Sequence, residues 1–283
     1  MSKALKFVIV VMICVTCLAR DCLPQEPQPS NANDDATRKL RLEFMKDLRA
    51  EFQVFREARP KEPLAKIDEP LLRWSNPVRN FFSDGGLFLW LHGKRPAAAA
   101  TVSIRGNGSV WLEVASLSPV ALRCERLGNE FWTPRIASAV EQRLPDAPAP
   151  AATARMRLVQ MRRLCEQFTV RTEPKDEQPS ELRLLPQPIY RYGDDADEIV
   201  DGALFAYAET TDPEALLLLE AVHPGSGAAA YWQYALAKMT SRPIVARLDG
   251  KPVWSVPSYW GNPRSLNDAY QERQLGMYPP PIK

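Results

Sequence analysis

The chain has 283 residues, with 36 Lys and Arg against 34 Asp and Glu, a formal charge of +2. So even a balance lacks the basic footprint of a nucleic-acid binder, and the length suits two modest cores of ~100 residues each. With only two His and five Cys, no pair has metal-ligand spacing and no cofactor is expected.

The first residues read as a secretory signal. Lys3 and Lys6 precede an uncharged run from Phe7 to Ala19, and Cys17 and Ala19 occupy the small-residue positions of a cleavage site before Arg20. The run is too short for a comfortable membrane span, so residues 1–19 are assigned to a signal peptide. Membrane contact is expected only if that segment stays uncleaved. Lys3 and Lys6 carry the whole formal excess, which leaves the mature chain neutral. Cys14 and Cys17 leave with the signal. Cys22, Cys124 and Cys165 remain, expected as buried or free thiols.

Residues 20–37, rich in Pro, Gln, Asn and Asp, read as a flexible tether. From Arg38 to about Arg56, Leu42, Met45, Leu48, Phe52 and Phe55 recur at helical spacing, which predicts an amphipathic helix. Strands are then predicted across 64–134. Leu87 to Leu91 is apolar on both faces, so that strand should be buried from two directions. Gly93-Lys94-Arg95-Pro96 turns the chain, and Ala97 to Ile104 returns it. Arg105 to Ser109 turns it again. Val110 to Leu117, Val120 to Glu125 and Glu130 to Thr133 complete a meander.

This first unit is placed at 38–144, followed by a Pro/Ala linker at 145–152. A second unit at 153–257 repeats the order. Its helix runs from Thr153 to Phe168, and its strands lie between Leu182 and Pro257. The tail, 258–283, holds Tyr259, Trp260, Tyr270 and Tyr278 and ends in Pro279-Pro280-Pro281 before Ile282 and Lys283. It is expected to lie on the body without regular structure, apart from a short helix near Leu266 to Gln274.

The units echo each other. Asp84-Gly85-Gly86-Leu87-Phe88 reappears as Asp201-Gly202-Ala203-Leu204-Phe205. From Asp84 to Ala98, six of fifteen positions are identical, where ordinary composition gives about one. Arg73-Trp74 matches Arg191-Tyr192, Pro96 matches Pro213, Trp111 matches Trp232, and Trp132 matches Trp254. A tandem duplication follows. The fold class is α+β: a pseudo-twofold pair of units, each one N-terminal helix plus about five mostly antiparallel strands. The two sheets join or face each other with the helices outside.

Candidate chemistry is sparse. There is no Gly-x-Ser-x-Gly elbow and no phosphate-cradling loop, and no catalytic residue is assigned. Asp194, Asp195, Asp197, Glu198 and Asp201 lack calcium-loop spacing and read as a solvated acidic loop. The candidate binding residues are Arg73, Trp74, Arg191 and Tyr192, because Arg beside an aromatic can grip an anion, a sugar or a carboxylate. The structural alternative is favoured: each Arg pairs with the equally repeated Asp84 or Asp201 and pins its strand. The four repeated Trp are expected in the core. Asn107-Gly108-Ser109 matches a glycosylation sequon, but turn chemistry explains it.

The phrases Glu-Pro-Leu-Leu-Arg-Trp-Ser-Asn-Pro (69–77), Asp-Gly-Ala-Leu-Phe (201–205), Leu-Leu-Leu-Leu-Glu (216–220) and Val-Trp-Ser-Val-Pro (253–257) resemble a family of exported proteins typical of planctomycete bacteria. The resemblance covers about residues 40 to 257. It implies a bacterial, extracytoplasmic protein and carries over no activity, cofactor or catalytic residue. The first expected function is a non-catalytic exported binding or scaffolding protein, with a protein or small ligand outside the cytoplasm as partner. A hydrolase with its site in the groove between units is the second. A carrier of a small apolar or aromatic ligand within the curved sheets is the third.

Overall fold

The computed structural model describes residues 32–75, 83–135, 139–194, 198–225, 228–259 and 265–279. The signal segment, most of the tether with Cys22, and Asp195, Asp197, Trp260, Pro280 and Pro281 lie outside the described residues.

Helix α1 (Ala32–Ala50) starts six residues before the expected Arg38. Asp35 sits in its first turn, where the positive end of the helix dipole favours an acid. It also stops early, because Phe52–Arg56 is strand β1. Phe52 and Phe55 fit a helical spacing, but Phe52 and Val54 also fit an alternating one, and the strand wins by pairing. Helix α2 (Ala154–Cys165), capped by the Thr153 hydroxyl on the Met156 amide, ends in the same way before β10 (Phe168–Thr172).

Between the helices run β2 (Ala65–Lys66), β3 (Leu72–Ser75), β4 (Ser83–His92), β5 (Arg95–Arg105), β6 (Ser109–Ser116), β7 (Leu122–Arg126), β8 (Asn129–Trp132) and β9 (Gln142–Arg143). After β10 come β11 (Ser180–Glu181), β12 (Arg183–Leu184), β13 (Tyr190–Asp194), β14 (Ile199–Glu209), β15 (Asp212–Val222), β16 (Tyr231–Lys238), β17 (Ile244–Leu248), β18 (Lys251–Val256) and β19 (Tyr270–Met277). Every ladder among the described residues is antiparallel.

Each half therefore has more strands than the five expected, divided between two sheets. The large sheets run β19-β6-β5-β4-β2, with β3 also on β4, and β12-β14-β15-β16-β9, with β13 also on β14. The small ones run β1-β7-β8 and β11-β10-β17-β18. The division follows from the turns. Leu127-Gly128 and Asp249-Gly250 both take positive φ (50° and 79°, 46° and 77°), the two-residue hairpin geometry whose twist suits antiparallel strands. The hairpins β7-β8 and β17-β18 then pair with β1 and β10 instead of extending the large sheets.

The halves share irregularities as well as order. The β4-β5 ladder slips between Trp90 and Leu91, where Leu91 faces Pro96, and the β14-β15 ladder slips between Tyr207 and Ala208, where Ala208 faces Pro213. A Pro without an N–H belongs at such a bulge. Likewise β7-β8 slips beside Cys124↔Trp132 and β17-β18 beside Ala246↔Trp254. The matching of Trp111 with Trp232 needs correction. Trp111 faces Ser103, whereas Trp232 faces Ala221 and it is Gln233 that faces Glu220. Trp111 thus shares a register position with Gln233, and a one-residue slip puts it on the other face. It lies half-buried with the Arg105 guanidinium 4.0 Å from its ring, and Trp254 is only partly buried, while Trp132 and Trp232 are core.

The large sheets pack face to face. Leu87 and Leu89 meet Leu204, Ala206, Leu216 and Leu218 in the central layer, with Trp74, Tyr192 and Tyr270. The alternate residues point outward: Phe88 and Trp90 against Met45 and Leu48 of α1, and Phe205 and Tyr207 against Met161 and Leu164 of α2. Helices and small sheets form the outer layers.

The tail contradicts its expected irregularity. Tyr270–Met277 is not helical but adds β19 to the open edge of β6, in the sheet of the other half. The Trp132 indole also donates to the Asp268 carbonyl at 2.7 Å. Conversely β9, at the end of the first half, pairs with β16 of the second. Each half thus lends an edge strand to the other, and both edges are covered.

Candidate functional site

The four candidate residues lie on β3 and β13. Arg73 Nε and Nη2 donate to Asp84 Oδ1 and Oδ2 at 3.0 and 2.8 Å, and Arg191 Nε and Nη2 donate to Asp201 at 2.9 and 2.6 Å. Each Nη2 also reaches a helix carbonyl, Arg38 O at 2.6 Å and Ala154 O at 2.5 Å. The neighbouring aromatics point the other way, since successive strand residues face opposite sides. Trp74 and Tyr192 are both buried in the central layer. Arg and aromatic therefore stand on opposite faces of the sheet and do not converge on a ligand. Asp201 is likewise no part of a solvated loop. It is buried and takes a second ion pair from Arg157 at 2.9 Å.

A different cluster joins the halves. Arg95, at the start of β5, donates through Nε to Glu220 Oε1 at 2.7 Å and through Nη2 to Glu220 Oε2 at 3.3 Å and Glu141 Oε1 at 2.8 Å. The Tyr192 hydroxyl (2.5 Å) and Gln233 Nε2 (2.8 Å) also donate to the Glu220 carboxylate. Glu220 is 1% exposed and Arg95 7%. Burial works against the Arg95 charge, but the carboxylates outweigh it and its pKa is raised. Burial and the adjacent Glu220 charge raise the Tyr192 pKa well above its ordinary value, so its proton stays in the hydrogen bond.

Sequence reasoning missed this cluster because it looked for polar residues retained in both units. These are residues that differ: by the shared register Arg95 takes the place of Asp212, and Glu220 that of Ser103. The departure from the repeat was the available signal.

Beside Arg95 opens a pocket of about 220 Å³. Arg56 (end of β1), His92 (end of β4), Arg95 and Val120 line it from the first half, Glu141 from the segment before β9, and Ile199 and Gln233 from the second. Arg56 Nη1 lies 2.8 Å from His92 Nε2. Because a guanidinium can only donate, His92 Nε2 accepts and its ring proton sits on Nδ1. Ser118 also lines the pocket, and its hydroxyl accepts the Val120 amide at 3.1 Å to shape the rim.

A second buried polar cluster holds the tail. Glu113 on β6 accepts from the Tyr270 hydroxyl and, at 2.8 Å, from Thr101, and it stands directly opposite Glu272. Burial, then the Glu272 charge, pushes the Glu113 carboxyl up to about 8. Burial pulls nearby Lys238 down to about 8 against the pull of Glu214, and its ammonium donates to the Pro257 carbonyl at 2.6 Å. Cys124 and Cys165 are free and buried, and burial raises both thiols to about 12. Among the described residues, no three His, Cys, Asp or Glu stand together as a metal site, and no helix is long and apolar enough to cross a membrane.

Comparison of the chain with protein-family models, with curated proteins and with solved structures finds no match in any of the three.

Proposed function

We propose that this chain is an exported bacterial binding protein, non-catalytic and built by tandem duplication, that takes a small molecule in the pocket at the seam between its halves. The duplication is supported by the common strand order, by the Arg–Asp pairs of β3-β4 and β13-β14, and by bulges at equivalent registers. Export is supported by the Lys3/Lys6 start and apolar run of residues 1–19, and by the likeness to exported planctomycete proteins.

One observation carries the binding role. The pocket draws its walls from both halves, and one of its lining residues, Arg95, forms the buried pair with Glu220 that clamps those halves together. Walls fixed in advance reduce the ordering cost of binding. The pair also occupies positions where the repeat is broken, so the seam is where the copies acquired different chemistry. A carrier role between the large sheets has less support, because Leu87, Leu89, Leu204, Leu216 and Leu218 fill that space with no exposure.

The test is a thermal-shift screen of small polar metabolites on the purified protein and on Val120→Trp, which places a large ring at the pocket rim. A ligand that binds only the folded state raises the melting temperature. Compounds should stabilise the parent and lose that effect in the variant. Stabilisation that persists in Val120→Trp, or none from any compound, would overturn the proposal. Mass spectrometry of the cell-envelope protein should find a mature N-terminus near Arg20; intact Met1 there would mean an anchor.

A further inference from the structure

We infer that the seam pocket recognises a small carboxylate carrying a hydroxyl or amino group, with Arg56 as the carboxylate clamp; this rests on the binding role proposed above.

The argument begins with charge. Arg95 is neutralised twice, by Glu220 and Glu141. Arg56, on the same pocket, has no carboxylate partner among the described residues. Among the described residues its one side-chain hydrogen bond is to the His92 ring, and its Nε is buried without an acceptor. A buried donor left unpaired is costly, so the guanidinium as a whole is short of acceptors. The pocket thus contains one cation that has no ion pair among the described residues and has unused hydrogen-bonding capacity.

Geometry narrows the anion. A guanidinium offers parallel N–H groups that match the two oxygens of a carboxylate. His92 Nε2 occupies Nη1, so one edge of the fork is already fixed in direction and the rest remains for the ligand. Besides Arg56, His92 and Arg95, the polar side chains on the pocket are Glu141, Gln233 and Ser118, whose oxygens accept hydrogen bonds. They disfavour a second negative charge and favour a donor on the ligand. A volume of about 220 Å³ falls below the ~300–1,000 Å³ of sites for drug-sized molecules, so the ligand is a small metabolite.

Isothermal titration tests this with lactate and alanine as probes, their amides as neutral counterparts, and inorganic phosphate as the competing anion. At neutral pH the two acids should bind the parent protein at least about tenfold more tightly than their amides or phosphate. Arg56→Gln should weaken acid binding by at least about tenfold. If Arg56→Gln fails to fold, Arg56→Lys keeps the charge but loses the fork, and it too should weaken lactate and alanine. Val120→Trp should abolish binding of every probe. Amides that bind as well as acids, tighter phosphate binding, or acid binding unchanged in both Arg56 variants would each overturn the inference. In those cases a block by Val120→Trp would leave the pocket itself standing as a binding site. Binding that Val120→Trp does not block, or no binding at all, would remove both proposals.

Discussion

Tyr192 packs against Gly202, which it faces across the β13-β14 ladder, so closely that a Cβ on that glycine would lie 2.5 Å from the ring. Trp74 meets Gly85 in the same way, with the corresponding approach 2.6 Å. The contact explains why Asp and Gly recur as a pair in both halves. On one face of the strand the Asp holds an Arg; on the other the Gly leaves room for an aromatic ring.

Gly202→Ala should therefore destabilise the protein by about 1–3 kcal/mol, because the added methyl overpacks a filled layer. Gly85→Ala should act similarly against Trp74. Denaturation in urea measures both. A Gly202→Ala protein as stable as its parent would contradict the packing described here.

The two Arg–Asp pairs should not be equally sensitive. Asp201 keeps Arg157 when Arg191 is removed, whereas among the described residues Asp84 is ion-paired only to Arg73. Arg73→Ala leaves a buried carboxylate without its cation and should cost about 1–3 kcal/mol. The loss for Arg191→Ala should be smaller. Thermal melts without added ligand give the order directly, and the reverse order would show that the pairs do not carry this load.

Arg95 and Glu220 form a buried ion pair that ties the halves together. Arg95→Met strands a carboxylate that is 1% exposed, and breaking such a buried pair costs about 3–5 kcal/mol. Removing both charges, as Arg95→Met with Glu220→Leu, should restore much of that loss. Tyr192, Gln233 and Glu141 would each still lose a partner. A double-mutant cycle in guanidinium quantifies the coupling; single and double variants whose losses simply add would exclude it.

Glu113 makes stability depend on pH. Its folded carboxyl titrates at about 8 against 4.5 when free, so between those values the folded state holds a proton that the unfolded state has released. Stability should fall as pH rises through that window. Lys238 acts in the opposite sense above it. Its folded pKa of about 8 lies below 10.5, so its share of stability rises with pH between the two. Melting temperature should decline from roughly pH 5 to 8, and Glu113→Gln should flatten the decline. An unchanged slope in that variant would place the titration elsewhere.

Much of the fold was legible along the chain. Two-sided apolar runs such as Leu87 to Leu91 marked the sandwiched strands. Arg73 with Asp84 and Arg191 with Asp201 were readable because the partners lie only 11 and 10 residues apart, on adjoining strands of one hairpin-like unit. Where two periodicities competed, at Phe52 and Phe168, the pattern was ambiguous, and pairing with β7 and β17 chose strand over helix.

Other features were decided in three dimensions. The backbone hydrogen bonds of an edge strand are open to almost any segment, so nothing in Tyr270 to Met277 names β6 as its partner. The open edge and the path of the chain make that choice. Arg95 and Glu220 are 125 residues apart and meet only because two sheets stack face to face. Their charges survive burial through each other and through Tyr192, Gln233 and Glu141. The pocket beside them belongs to neither half. Sequence laid out most strands and the local Arg–Asp pairs, while the stacking of the sheets determined where the pocket and Arg56, which has no carboxylate partner among the described residues, would coincide.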